Sequence, residues 1–483
     1  MIYSRRIGKE CDIMKKTKII AAIGPASKDE DVLREMILAG MDIARINMKH
    51  ADHKFAETII KKIDKLNDEL DTNVSIMIDL KGPDMTVGTF KGGSAYLNKG
   101  TKVRIYNEDI IGDDTRFSVT TKNFVSKIKT NTTIKLDDGL IELKVVDKTL
   151  EYLLCEVITG GFIEDNKGVN VIDTYLDLPF LTEKDIDDIK FASKMKVAYL
   201  ALSFVTSVED VLKVNDILIN LNNNHTSIIS KIENELALED LDDIITNSDG
   251  IMVSRGDLGV EIPLERVPGI QQQVINKCHR MGKVSMISAE MMITMENNIR
   301  PTRAEVSDVA SSVLSGVDCV MLSDETADGK YPVISINTMR KIIEETENGI
   351  DYYEFLDKTM RTENKDVSGN IAYTTTLTAN RLKCKFIMVP TMSGYTAKKI
   401  SRFRPSCPII ALTPDINVTK ELNMYYGVYA VFIGDVKTFD KMMKLVRDYA
   451  INIGAEKGDL VVITGGYPFK EVKHTNFMKI EEI

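Results

Sequence analysis

The chain has 483 residues and a net charge of −10, with 43% hydrophobic and 28% charged residues. That length is enough for two to four domains with hydrophobic cores, and the composition is ordinary for a globular protein. The negative charge argues against nucleic acid or an anionic membrane as the main partner, and no apolar run approaches the ~18 residues of a membrane span.

The six cysteines are scattered, with neither a CxxC pair nor the histidine spacing of a zinc site. Such cysteines are typical of reduced thiols and predict a cytoplasmic protein. Residues 1–13 lack the apolar segment of a secretion signal, so we interpret them as an N-terminal extension. The folded region is expected to begin at Met14, and either Met1 or Met14 is the true start.

Short apolar runs alternate with helical segments through the first part of this region. Residues 18–24, 42–47 and 75–80 are each predicted to form a buried strand, and polar residues stand at the end of each. Three strand–helix units in a row favour an α/β barrel.

Residues 89–175 break this pattern, because they are rich in glycine and alternate like exposed strands. Asp137-Asp138-Gly139 is a hairpin signal. We predict a small β-barrel domain inserted after the third barrel strand, where it lies over the mouth of the barrel as a lid.

The barrel pattern resumes after the insertion and gives eight strands in all. The predicted (β/α)8 TIM barrel therefore spans residues 14–88 and 176–350, and a smaller α/β sheet forms a C-terminal domain over residues 351–483.

Chemically informative residues follow two successive predicted strands. Lys231 and Glu233 lie two positions apart on one strand and share a face, and Asp257 follows the next strand. Facing carboxylates suit Mg²⁺ or Mn²⁺, while Lys231 beside the ion and Arg45 would stabilise a phosphoryl group during transfer. The alternative interpretation is that these are paired or solvated charges at a barrel rim.

A series of short motifs surrounds these residues from about Met14 to the C-terminus. They are TKIIAAIGPAS (17–27), GMDIARINMKH (40–50), DLKGPDM (79–85), DDGLI (137–141), KGVN (167–170), LDLPFLTEKD (176–185), SKIEN (230–234), SRGDLGVEIP (254–263), RPTRAEVSDVA (300–310) and MLSDETADGKYP (321–332). In this order they resemble the pyruvate kinase family, and the whole set is far more specific than any single pattern.

The resemblance implies a glycolytic phosphotransferase that moves the phosphoryl group of phosphoenolpyruvate to ADP, giving ATP and pyruvate, in a cytoplasmic homotetramer. By position, it implies the following roles: catalysis by Lys231 and Arg45; Mg²⁺ or Mn²⁺ binding by Glu233 and Asp257; substrate binding by Gly256, Asp257, Ala289 and Ser203; nucleotide binding by His50 and Lys167.

The chain departs from the family at several positions, including the nucleotide-phosphate side (Asp84, Thr86) and Asp324 after the eighth strand, and two departures bear on substrate and monovalent-ion binding. Ala289 stands where the family has a threonine whose hydroxyl touches the substrate carboxylate and is linked to protonation of the enolate. The family's K⁺ site keeps Asn47 and Asp79, whereas Lys49 and Leu80 replace the other two ligands. We expect the ammonium of Lys49 to take the place of K⁺ by pairing with Asp79, or to turn to solvent.

The C-terminal domain has a loop that the family uses for phosphorylated effectors. Thr391, Ser393, Gly394 and Thr396 precede a predicted helix, and hydroxyls and amides at such a position bind anions. The alternative is ordinary helix capping by these hydroxyls.

Three functions remain open from the sequence. The first is a working pyruvate kinase that is independent of K⁺ and has altered proton transfer. The second is a non-catalytic or regulatory paralogue that binds phosphoenolpyruvate and metal. The third is a lyase that uses a metal-bound pyruvate enolate on the same barrel.

Overall fold

The computed structural model describes residues 14–172, 176, 179–360, 366–436, 438–468 and 474–483. The predicted N-terminal extension, residues 1–13, and the predicted end of the lid at residue 175 lie outside the described residues.

The first half of the barrel contains three strands and two helices. They are β1 (Lys18–Ala22), α1 (Glu30–Ala39), β2 (Ile43–Asn47), α2 (His53–Leu70) and β3 (Ser75–Asp79). All three strands are almost fully buried, as expected of parallel strands covered by helices. Gly40 ends α1 in a left-handed conformation (φ 113°) that a glycine adopts without strain.

The second half of the barrel follows the insertion. Its elements are α4 (Glu183–Lys194), β12 (Tyr199–Leu202), α5 (Val208–Asn220), β13 (Ser227–Ile232), α6 (Leu236–Glu239), α7 (Leu241–Asn247), β14 (Gly250–Ser254), α8 (Arg255–Glu261), α9 (Val267–Met281), β15 (Val284–Ser288), α10 (Arg303–Leu314), β16 (Cys319–Leu322), α11 (Asp324–Ala327) and α12 (Pro332–Asn348). The eight barrel strands pair in parallel, and β16 returns to β1 to close the ring. The predicted TIM barrel is thus confirmed.

The inserted lid contains β4 (Ser94–Leu97), β5 (Lys102–Tyr106), β6 (Arg116–Ser118), α3 (Phe124–Lys127), β7 (Thr133–Leu136), β8 (Ile141–Lys148), β9 (Tyr152–Thr159), β10 (Gly161–Glu164) and β11 (Val169–Ile172). The strands form a six-stranded sheet and a separate pair around one apolar core. Thr86 and Val87 bridge the two edges of the six-stranded sheet, to Gly168 beside β11 and to Val119 beside β6, so the sheet closes on itself as the predicted small β-barrel requires. Its core includes Val87, two residues before the predicted boundary.

The C-terminal domain contains α13 (Tyr352–Met360), α14 (Val367–Leu382), β17 (Phe386–Pro390), α15 (Tyr395–Ser401), β18 (Ile409–Thr413), α16 (Ile416–Glu421), β19 (Val428–Phe432), α17 (Phe439–Asn452), β20 (Leu460–Gly465) and β21 (Phe477–Glu482). Its five strands form one sheet in the order β19-β18-β17-β20-β21, in which β21 is antiparallel. This is the smaller α/β sheet that the sequence predicted.

The interior of the barrel base and the C-terminal domain share one hydrophobic core. Met77 and Tyr199, from barrel strands, belong to the same cluster as Phe403 and Leu422 of the C-terminal domain. The Tyr199 hydroxyl also donates to the Lys420 carbonyl at 2.7 Å. The C-terminal domain therefore closes the base of the barrel, and the opposite end is left for the lid.

None of the described helices combines the length and the apolar character needed to cross a membrane.

Candidate active site

Lys231 is the centre of a buried ion cluster at the carboxyl end of β13. Its Nζ lies 2.9 Å from the Glu233 carboxylate and 3.5 Å from that of Asp79, and it donates to the Ser203 hydroxyl at 2.9 Å. Burial disfavours the charged ammonium, but Asp79 and Glu233 outweigh it and hold the pKa of Lys231 well above its usual value. The lysine is therefore a fixed positive charge.

Arg45, in the middle of β2, joins the same cluster. Its Nε donates to the second carboxylate oxygen of Asp79 at 2.6 Å. Burial opposes ionisation of Asp79, yet the charges of Lys231 and Arg45 bring the pKa of Asp79 below its usual value. Asp79 thus positions two cations side by side at the mouth of the barrel.

Glu233 and Asp257 are the two carboxylates that the sequence predicted as metal ligands. Glu233 accepts from the Phe204 amide at 2.6 Å, and Asp257, in the first turn of α8, accepts from the Ser254 hydroxyl at 2.7 Å. Burial raises the pKa of Glu233 to about 7; Lys231 opposes that rise, and the negative charge of Asp257 adds to it.

Two carboxylates that repel each other fit a divalent cation, since hard oxygen donors suit Mg²⁺ or Mn²⁺. No group of three or more His, Cys, Asp or Glu side chains among the described residues is arranged to hold a metal ion. An ion held by Glu233 and Asp257 would take its remaining ligands from substrate or water.

Two cavities meet at Asp257. One, of about 940 Å³, is bounded by the strand ends and is called the inner cavity; it includes Arg45, Lys231, Gly256 and Ala289. The other, of about 780 Å³, lies under the lid and is called the lid cavity. Asp138, Asp257 and Glu261 line both, so a group in one cavity can reach a group in the other.

The residues predicted to bind nucleotide line the lid cavity. His50 lies on its barrel side, and partial burial together with the charges of Lys49 and Arg45 lowers the pKa of His50. Lys167 lies on its lid side, 3.0 Å from Asp137, and this hydrogen bond raises the pKa of Lys167. The lid wall of the cavity therefore carries the cation of Lys167, whereas His50, whose pKa is lowered, is a neutral hydrogen-bonding group on the barrel wall.

The sequence matches the family model of the pyruvate kinase barrel domain over residues 14–336 and that of the pyruvate kinase alpha/beta domain over residues 369–481. The chain belongs to the pyruvate kinase family. It is 39% identical to the pyruvate kinase of Clostridium perfringens over 478 residues, which cover 97% of this chain and 100% of the relative. It is 40% identical to that of Staphylococcus haemolyticus over 471 residues, which cover 97% of this chain and 80% of the relative.

Membership of the pyruvate kinase family makes the chain a phosphotransferase. Of the predicted site residues, Lys231, Glu233 and Asp79 are in direct contact at the ends of barrel strands, whereas Lys167 lies in the lid and the effector loop in the C-terminal domain. Ser203 was predicted to bind substrate, but it is buried behind Lys231 and lines neither cavity described above. Its position supports the lysine, and its contact with substrate remains a prediction.

The prediction that Lys49 pairs with Asp79 is wrong for this pyruvate kinase family member. Its Nζ lies 2.7 Å from Asp84 rather than beside Asp79, because Arg45 and Lys231 already occupy Asp79. Leu80, the other altered position, is fully buried in the barrel's hydrophobic core. The Asn47 side-chain oxygen accepts from the backbone amide of Lys49 at 3.0 Å.

Sequence reasoning missed Arg255, which fixes the backbone next to the substrate positions. Its guanidinium donates to Asp308 at 2.7 Å and to the Ala289 carbonyl at 2.9 Å. Ala289 has a left-handed backbone (φ 70°), which is uncommon for any residue except glycine. The sequence signal that could have identified Arg255 is its position directly before Gly256 and Asp257 in the SRGD motif.

Two contacts that hold the lid on the barrel were also missed. The Lys135 ammonium donates to the Val260 carbonyl at 2.6 Å, and the Asn170 side chain donates to Glu261 at 2.9 Å. Both acceptors lie on α8, the helix that carries Asp257. The lid therefore rests directly on the helix that carries Asp257.

The predicted effector loop lies at the start of α15. The Thr391 hydroxyl accepts from the Gly394 amide at 3.0 Å, and the Thr396 hydroxyl bonds that of Thr475 at 2.7 Å. Ser393 is half-buried. Two of the predicted hydroxyls are thus engaged within the C-terminal domain, but neither caps α15, because Thr391 bonds Gly394, the residue that precedes the helix.

Proposed function

We propose that this protein transfers the phosphoryl group of phosphoenolpyruvate to ADP and forms ATP and pyruvate. The observation that carries the proposal is the convergence of Lys231 with Glu233 and, through Asp79, with Arg45, where Lys231 and Arg45 line the inner cavity. In this arrangement the enol phosphate occupies the inner cavity and the nucleotide enters from the lid cavity.

The residues of the inner cavity bind and orient the enol phosphate. The amides of Gly256 and Asp257 at the start of α8 face its carboxylate, since backbone N–H groups at such a turn attract anions. Arg45 and Lys231 stabilise the negative charge of the phosphoryl group as it moves. A divalent ion held by Glu233 and Asp257 would neutralise further charge on the phosphoryl oxygens.

The lid residues bring the acceptor nucleotide into line and exclude water. His50 and Lys167 lie on opposite walls of the lid cavity, where they would contact ADP. The contacts of Lys135 and Asn170 with α8 keep the lid closed over the site. After transfer, the enolate takes up a proton at C3; because Ala289 has no hydroxyl, water is the proposed donor.

We propose that the reaction does not require K⁺. Lys49 places a positive charge 2.7 Å from Asp84 at the wall of the lid cavity. The Leu80 side chain has no oxygen, its carbonyl accepts from the Ser203 hydroxyl at 2.8 Å, and Asp79 is bound by two cations. Two observations therefore support a reaction without K⁺: the positive charge of Lys49 and the loss of free oxygen ligands.

A coupled assay of ATP formation from phosphoenolpyruvate and ADP with Mg²⁺, in tetramethylammonium buffer with and without added K⁺, tests both proposals. We expect ATP formation that changes less than about twofold on addition of K⁺. Lys49→Ser removes the charge and should make the rate rise with K⁺. A steep K⁺ activation curve for the unmodified protein would contradict the K⁺ proposal alone.

The same assay separates the other two functions. Binding of phosphoenolpyruvate without ATP formation would favour a non-catalytic paralogue. Turnover of a pyruvate-forming substrate without ADP would favour a lyase, and in that case Lys167 and His50 would be dispensable.

The assembly and regulation implied by the family are proposed as well. Val306 and Leu314 of α10 and the nearby Ile299 are exposed apolar side chains on one side of the barrel. We propose that this side contributes to a homotetramer in the cytoplasm. A phosphorylated effector would bind at the loop before α15. Light scattering with and without candidate sugar phosphates tests both.

A further inference from the structure

Phe204, in the turn after β12, has a left-handed backbone that aims its amide at Glu233. Its φ is 56°, which is an outlier for a bulky residue. Strained residues of this kind persist only where the surrounding structure fixes them, and they cluster at functional sites. The amide donates to one carboxylate oxygen of Glu233 at 2.6 Å, while the other oxygen lies 2.9 Å from Lys231. Phe204 and Lys231 therefore hold the buried carboxylate at both oxygens.

Gly82, which lies between β3 and the lid, packs against this turn. A Cβ built on Gly82 would lie 3.1 Å from a ring carbon of Phe204 and 3.1 Å from the Ser203 carbonyl oxygen, which is closer than most Cβ contacts. The Gly82 amide donates to one oxygen of the buried Asp185 carboxylate at 3.1 Å, and the other oxygen accepts from the Thr182 amide at 2.9 Å. Asp185 therefore fixes the chain on both sides of the lid and holds Gly82 beside the phenylalanine ring.

These contacts form a continuous series from the base of the lid to a predicted metal ligand. Asp185 holds Gly82, and Gly82 packs against the ring of Phe204. Building on the divalent-ion site proposed above, we infer that Phe204 is a positioning residue. The packing of its ring against Gly82 keeps its backbone left-handed, and its amide then orients Glu233 for the ion.

The consequence of losing this orientation is weaker binding of the ion. In an ordinary backbone conformation the Phe204 amide points elsewhere, and Glu233 loses a hydrogen bond inside a buried site. Hydrogen bonds to a ligating carboxylate fix its direction, and losing such a partner typically lowers metal affinity about 10–100-fold. Phe204 therefore acts on the ion only through Glu233.

The test measures Mn²⁺ binding by electron paramagnetic resonance in the absence of substrate and nucleotide, because Phe204 also lines the lid cavity. Phe204→Ala removes the ring and leaves a Cβ that is strained at this φ, so the backbone should relax and the dissociation constant should rise about 10–100-fold. Phe204→Gly removes the same ring, but glycine adopts this φ without strain. Its dissociation constant should therefore rise less than that of the alanine variant. At saturating Mn²⁺ both variants should recover most of kcat in the coupled assay.

Gly82→Ala perturbs the same turn from a position that lines neither cavity. Its methyl group meets the Phe204 ring and should also weaken Mn²⁺ binding. Adding Phe204→Gly to this variant should recover part of the affinity, because the methyl group no longer meets a ring. Gly92→Ala in the lid is the matched control: Gly92 also has a positive φ (83°), but nothing lies within 4 Å of a Cβ built there. It should leave Mn²⁺ binding unchanged.

Thermal unfolding of each variant shows whether it is folded, and the variants of Gly82 keep the inference testable if Phe204→Ala is not. An unchanged dissociation constant for Phe204→Ala or Gly82→Ala, or an equal rise for the alanine and glycine variants of Phe204, overturns the inference and leaves the proposed function intact. The expected order of Mn²⁺ affinities without ATP formation by the unmodified protein supports the inference and overturns the proposed function. A lack of Mn²⁺ binding to the unmodified protein overturns the metal site and the inference together.

Discussion

Lys18 of β1 allows us to predict in which direction the stability of the protein changes with pH. It is fully buried between the barrel base and the C-terminal domain, where its Nζ donates to the Val428 carbonyl at 2.7 Å and lies 4.0 Å from the centre of the Tyr429 ring. Burial lowers the pKa of Lys18 to about 8, although the nearby Asp42 carboxylate opposes this and Lys15 adds to it.

The direction of this pH dependence follows from the number of protons that the folded and the unfolded chain bind. An unfolded lysine has a pKa of about 10.4, so between about pH 8 and 10 the unfolded chain binds more protons than the folded one. The stability that this residue contributes therefore rises with pH and is lost again as pH falls through about 8. Between pH 7 and pH 9 only the folded form loses its proton, which corresponds to about one pKa unit, or ~1.4 kcal/mol.

The measurement is urea denaturation of the unmodified protein and of Lys18→Met at pH 7 and pH 9, followed by circular dichroism. The free energy of unfolding of the unmodified protein minus that of the variant should rise by about 1.4 kcal/mol. Lys16 is the matched control at the same interface: burial opposes its charge, but Glu347 and Tyr352 outweigh this and raise the pKa of Lys16. Lys16→Met should give a difference independent of pH in this range. A flat difference for Lys18→Met would refute the reasoning.

Three further predictions concern the site and the domain interface. Lys231→Met should lower kcat by about 10²–10³-fold in the coupled assay, because the variant lacks a charge aimed at the phosphoryl group; a loss below about threefold would contradict its role. Lys135→Met should raise the KM for ADP about three- to tenfold with a smaller change in kcat, because the charged hydrogen bond between the lid and α8 is lost. An unchanged KM would show that this contact does not hold the lid. Arg404→Met should lower the free energy of unfolding by about 3–5 kcal/mol in urea denaturation. The variant leaves the Asp318 carboxylate buried without the Arg404 guanidinium, which lies 2.8 Å away in the unmodified protein. A decrease below about 1 kcal/mol would argue against this account.

The barrel and the contact between Lys231 and Glu233 were predictable because they depend on local periodicity. Apolar runs of about five residues, separated by helices, define parallel strands, and residues two apart on a strand share a face. The groups at the ends of such strands must meet at one rim. The sequence therefore indicated these side chains before their distances were known.

The partner of Lys49 was not predictable in the same way. Asp79 ends a strand, but Asp84 lies in the loop after Gly82-Pro83, whose course the strand pattern does not specify. Competition also mattered, since Arg45 and Lys231 both neutralise Asp79 and leave no reason for a third cation there. Long-range contacts of Arg255 and Lys135 with backbone carbonyls were missed for a related reason: every residue has a carbonyl, so sequence does not identify the acceptor.

The shared core at the barrel base has a consequence for how the chain is made. A ribosome releases the chain from its N-terminus at about 5–20 residues per second, so the C-terminal domain follows the barrel by on the order of ten seconds. During that interval Met77 and Tyr199 lack the residues that cover them in the finished protein. The newly made barrel thus passes through a stage in which the apolar residues at its base are uncovered. At that stage chaperone binding would compete with aggregation.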